Sequence, residues 1–213
     1  MGQYTSFIKD FPARCRELLE TYPEERLRRG LPDRSVTTML CVASAVLTIP
    51  RERLQQNKLR NGTDVSHPER QKFEQASAVF DADQNALLTQ SRYWSVLQAG
   101  VQFKVQARPT EFNVAAYGSF PEDYQTWEFF RVLRNALAHG NIYTGFDPKR
   151  ITNLTFGSNP TDKRAKAQGL ELSDYELITL EVDALSAFLH VWLDFLTELP
   201  LPEAMQNTGQ AAD

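Results

Sequence analysis

The stretch EFFRVLRNALAHGN, Glu128 to Asn141, repeats its apolar residues with the period of a helix rather than a strand. At about 100° per residue, Phe130, Leu133 and Leu137 fall within about 60° of one another, and Phe129 and Ala136 widen that arc. A face of this kind packs into a bundle. The complementary arc holds Arg134, Ala138, Arg131, Asn135, Glu128 and His139, in that angular order, over about 140°. Gly140 is a natural C-cap residue, and Pro121 with Glu122 is expected to open the helix.

The polar arc reads in two ways. As a solvated face it needs no function, and Glu128 with Arg131 makes an ordinary i, i+3 ion pair. As a site it holds chemistry. Asn135 and His139 are an i, i+4 pair, so the amide can touch the imidazole and fix its tautomer and tilt. An orientable imidazole beside two guanidiniums suits a phosphodiester.

Outward from this helix the chain reads as mostly helical. Asp10 and Pro12 predict a first helix ending near Pro23. Val36, Met39, Leu40, Ala43, Val46 and Leu47 predict a second ending at Pro50. Residues 52–69 are polar and carry turn chemistry, so an exposed connection is expected there, followed by a helix from about Pro68 to Phe80. Residues 86–107 begin helical and drift toward alternation after Gly100. Ile151 to Phe156 and Tyr175 to Val182 predict a two-stranded hairpin with a long tip. Asp183 then caps a last helix with a wide apolar stripe, stopped by Pro200. The expected core includes Leu40, Val46, Leu133, Leu137, Leu189 and Trp192. One domain over residues 1–202 is expected, with a disordered tail over 203–213.

Composition excludes several function classes. A formal net charge of −4 argues against long electrostatic tracking of nucleic acid, although a local basic site remains open. The short clusters Arg26-Leu-Arg28-Arg29 and Lys163-Arg164-Ala-Lys166 could hold phosphates or be solvated faces. With two distant cysteines, no apolar leader and no run of about 20 apolar residues, a cytoplasmic chain outside the membrane is expected. The Gly2 acylation pattern and the sequons at Asn61 and Asn153 are too short to alter that reading. His67, His139 and His190 show no ligand spacing, and no Gly-rich phosphate loop can be written on the sequence, so neither metal nor cofactor is expected.

Arg134-Asn135-Ala-Leu-Ala-His139-Gly140 resembles the motif of the HEPN superfamily, an Arg followed by a polar residue, often Asn, then by a His after four to six intervening positions. The setting is similar too, since the motif closes a long amphipathic helix late in a mainly helical chain and another apolar helix follows. The resemblance implies a mainly α, HEPN-like helical bundle, here with a small antiparallel β-hairpin before the last helix. It also implies a homodimer in which two motif helices face each other. Many such proteins are metal-independent endoribonucleases of prokaryotic defence or toxin–antitoxin systems, and others are catalytically inactive domains that bind RNA or protein. On that footing Arg134 and His139 would be catalytic, Asn135 would orient the imidazole, and Arg131 would be a further phosphate contact. RNA is then the expected partner, with a cognate antitoxin or defence protein as another.

Overall fold

The computed structural model describes residues 7–59, 67–106, 118–144 and 150–200. Among them the protein is mainly helical, with one small antiparallel sheet. The helices are α1 (Phe7–Arg28), α2 (Ser35–Leu59), α3 (His67–Asn85), α4 (Trp94–Leu97), α5 (Thr126–His139), α6 (Asp162–Gln168) and α7 (Val182–Glu198). The strands are β1 (Val101–Gln106), β2 (Ile142–Thr144), β3 (Asn153–Ser158) and β4 (Tyr175–Glu181).

The hairpin expected before the last helix is β3 and β4, paired with Phe156 opposite Ile178 and Leu154 opposite Leu180. Two flanking strands widen it to the order β1-β4-β3-β2. The long tip folds as α6. Alternation after Gly100 becomes β1, whose Phe103 lies opposite Ile178.

Two helices run through the prolines expected to end them. A helical proline deletes the N–H that would bond the carbonyl four residues earlier. At Pro50 that carbonyl belongs to Val46, and the indole Nε1 of Trp192 donates to it at 2.9 Å. The lost bond is replaced from α7, so α2 continues to Leu59 and the chain over 52–59 is helical. Similarly, α1 passes Pro23 and ends at Arg28, just before Gly30, whose φ of 67° is left-handed. There the amide of Leu31 donates to the carbonyl of Arg26 at 2.9 Å, closing the helix end. The helix α3 also outruns its expected end at Phe80 and reaches Asn85.

The start of α5 is later than Pro121. Tyr124 and Gln125 pair with the segment around Leu87 instead, through Leu88 N–H to the Tyr124 carbonyl at 2.8 Å and Thr126 N–H to the Ala86 carbonyl at 2.9 Å. Gln125 is extended, with ψ 153°, and its amide donates to Glu128 Oε2 at 3.1 Å. The helix therefore begins at Thr126.

The core lies where α2, α5 and α7 meet. Val46, Leu133, Leu189 and Trp192 are buried in it, while Leu40 and Leu137 pack against its edge partly covered. Phe130 sits edge-on to Trp192, with ring centroids 4.5 Å apart, and to Phe188 at 5.3 Å. The other side of α5 packs on β3 and β4, so the motif helix is held between the helical core and the sheet. No helix among the described residues is long and apolar enough to cross a membrane. Gly2, Asn61 and the tail from residue 201 lie outside the described residues.

Candidate active site

The polar arc of α5 is only partly a surface. Its N-terminal two turns face the sheet and, through Glu128 and Arg164, meet α6, and its last turn reaches solvent. Arg131 is 6% exposed and pairs with the carboxylate of Glu176, which is fully buried. The second oxygen of Glu176 takes Nε of Arg164, and Arg164 Nη1 also donates to Glu128 Oε1 and Oε2 at 3.3 and 3.2 Å. Two guanidiniums and two carboxylates thus form a buried, formally neutral cluster. The Arg164 guanidinium stacks 4.4 Å above the ring of Tyr124. Burial pushes the Glu128 carboxyl above its ordinary range, opposed by the Gln125 amide and then by the charge of Arg164.

This arrangement corrects two expectations. Arg131 is not placed to hold a phosphate, because its charge is neutralised by Glu176 inside the protein. Nor is Glu128 its surface partner, since Glu128 is buried and meets Arg164. The basic cluster at 163–166 is likewise divided, with Lys163 and Lys166 exposed and Arg164 buried. At the end of α1, Arg28 pairs with Glu25, and Arg26 donates to the Pro32 carbonyl at 3.1 Å.

The remaining motif residues sit where the helix emerges. Arg134 and Asn135 are half-buried, whereas Ala138, His139 and Gly140 are exposed. Asn135 Nδ2 donates to Ser158 Oγ at 3.1 Å, so the amide is anchored to β3. Gly140 ends the helix with φ 73°, a left-handed conformation that leaves an L side chain strained, and the Asn141 amide bonds back to the Ala136 carbonyl at 2.9 Å. The helix is thereby stopped one residue after His139, and the chain turns into β2.

Sequence reasoning missed Ser158 and Glu176, and it read Arg164 only as part of a basic cluster rather than as a buried cation. Strand parity could have found Glu176, since it shares a face with Ile178 and Leu180, both buried. A carboxylate on the core side of a strand requires a buried cation. Among the described residues no three His, Cys, Asp or Glu side chains gather as metal ligands. His190 lies at the α1–α7 contact, with Nδ1 3.5 Å from Arg16 Nη1.

No curated protein and no solved structure matches the chain. One family model does, described as HEPN pEK499 p136, over residues 1–200. A HEPN domain carries, in general, a nuclease or RNA-binding type of function. With a helical bundle closed by Arg134, Asn135 and His139 and a family match across nearly all of its length, the chain belongs to the HEPN family.

Proposed function

We propose that this protein is a metal-independent endoribonuclease of the defence or toxin–antitoxin kind, cleaving RNA through attack of the 2′-hydroxyl. The observation that carries the reading is the division of α5. Its buried turns are fixed to the sheet, and Arg134 and His139 stand at the end that leaves the protein. Arg134 would hold the scissile phosphate and stabilise charge developing on its oxygens. One imidazole would take the 2′-hydroxyl proton as the O2′–P bond forms. A second would give a proton to the 5′-oxygen as the P–O5′ bond breaks, leaving a 2′,3′-cyclic phosphate and a 5′-hydroxyl.

A single copy offers one His139. Five helical steps also place His139 about 140° around the axis from Arg134. A phosphate is therefore better gripped by the guanidinium of one copy and the imidazole of another, which makes a homodimer the functional unit. The contact would involve residues 134–139, because Glu128 and Arg131 are inside the chain. The second reading, a catalytically silent HEPN domain that binds RNA or protein, is favoured by the burial of Arg131 and by the net charge of −4, which leave few cations for phosphate.

Incubation with tRNA and single-stranded RNA in EDTA separates the two. Products ending in 2′,3′-cyclic phosphate are expected for the nuclease. Intact RNA across all substrates, with binding retained, would establish the silent domain instead.

A further inference from the structure

The proposed chemistry leaves one buried polar group next to the motif without a role. Ser158 ends β3 and is 5% exposed. Its Oγ accepts from Asn135 Nδ2 at 3.1 Å and from Arg131 Nη1 at 3.2 Å, and its own hydroxyl donates to the Asn159 carbonyl at 3.3 Å. A hydroxyl has one proton and two lone pairs, so all three of its hydrogen-bonding positions are engaged. The oxygen is held on one side by the charged cluster, because Arg131 is itself gripped by Glu176 and by the Asn159 carbonyl.

Arg131 and Asn135 are one helical turn apart, and His139 is the next residue on that row. Two bonds to one oxygen thus pin two successive turns of α5 to the sheet and fix the rotation of the helix about its own axis. We propose that Ser158 is the positioning residue of the motif, tying Asn135 to the buried cluster and so setting the direction in which the last turn presents His139. This rests on the ribonuclease reading. Cleavage depends on the imidazole standing within hydrogen-bond reach of the reacting oxygen, and a misplacement of about 1 Å can cost on the order of a hundredfold in rate. RNA affinity, set by exposed cations, should hardly depend on Ser158.

The test compares Ser158→Ala, Ser158→Thr and His139→Ala in the full chain. Ser158→Ala is expected to lower kcat roughly tenfold to a hundredfold with KM for RNA nearly unchanged, and Ser158→Thr, which keeps the hydroxyl, to restore most of it. Side-chain amide signals of Asn135 and ring signals of His139 in nitrogen-15 spectra should shift in Ser158→Ala and return in Ser158→Thr. Should Ser158→Ala fail to fold, Ser158→Cys keeps the shape with a much weaker acceptor and is expected to act in the same direction. If His139→Ala cleaves at the unmodified rate, the ribonuclease reading fails, and the spectra alone then decide whether Ser158 positions the motif. If His139→Ala is inactive while Ser158→Ala keeps its kcat, or if the Asn135 and His139 signals do not move, the positioning role is overturned.

Discussion

Arg131 and Glu176 lie 45 residues apart in the chain and form an ion pair inside the protein, with side-chain exposures of 7% and 0%. Their contact joins the motif helix to the second central strand of the sheet, and Arg164 extends it to α6 and back to Glu128. Four charges taken from water together are tolerable only while they balance.

Removing one member should therefore be costly. Glu176→Gln leaves two guanidiniums facing one carboxylate and is expected to lower unfolding free energy by about 3–5 kcal/mol. Replacing Arg131, Arg164, Glu128 and Glu176 together by apolar residues of matching volume should recover most of the loss. Urea unfolding measures both, and a Glu176→Gln variant of unmodified stability would contradict the burial described.

The indole of Trp192 replaces a helical bond that Pro50 cannot make. Trp192→Phe strands the Val46 carbonyl in the core, adding about 1–3 kcal/mol to the cost of the smaller ring. Pro50→Ala restores an N–H to that carbonyl, so it should offset part of the loss in the Trp192→Phe background. A double-mutant cycle with no coupling between the two sites would refute the replacement.

That pair also shows where sequence reasoning stops. The apolar rows of α2, α5 and α7 were legible because helical period and burial coincide, as they do at Val46, Leu133, Leu189 and Trp192. The run of α2 beyond Pro50 was not, because its missing donor comes from a residue 142 positions later, outside any local pattern. At the candidate site, helical spacing put Arg134, Asn135 and His139 on one polar arc, and the roles proposed for them came from the resemblance to the HEPN motif. The exposure of Arg131 was misjudged because α5 has two buried faces, one apolar against the bundle and one charged against the sheet. Periodicity separates apolar from polar, and it does not separate polar residues that meet water from polar residues that meet a buried partner.

Acid titration should report two of the buried carboxyls. Burial pushes Asp83 above its ordinary range, opposed by a hydrogen bond from the Tyr93 hydroxyl at 2.6 Å and by the charge of Arg92. Glu128 is raised by burial as well. Each folded carboxyl keeps its proton to a higher pH than the unfolded chain, so each contributes stability at low pH that is lost as pH rises through the folded value. From the ordinary carboxylate range upward, these groups tilt stability downward with rising pH. Asp83→Asn should make that slope less negative, and an unchanged slope in urea titrations would contradict the burial of this carboxyl.

The proposed shared site predicts self-assembly through the last turn of α5. A homodimer is expected at micromolar concentration in sedimentation or light scattering. Ala138→Glu, at an exposed position beside His139, should weaken it without lowering the thermal midpoint of the monomer. A protein that is monomeric throughout that range contradicts the shared site.

If the exposed end of α5 carries out the chemistry, His139→Ala removes its proton carrier. His139 is exposed, so truncation should change stability by less than about 0.5 kcal/mol. The measurement is the single-turnover rate of RNA cleavage in EDTA for the unmodified protein and for His139→Ala, each verified as folded. Loss of the proton carrier is expected to lower that rate by on the order of 10² to 10⁴. A folded His139→Ala protein that forms 2′,3′-cyclic phosphate ends as fast as the unmodified one would show that His139 carries no proton in the reaction.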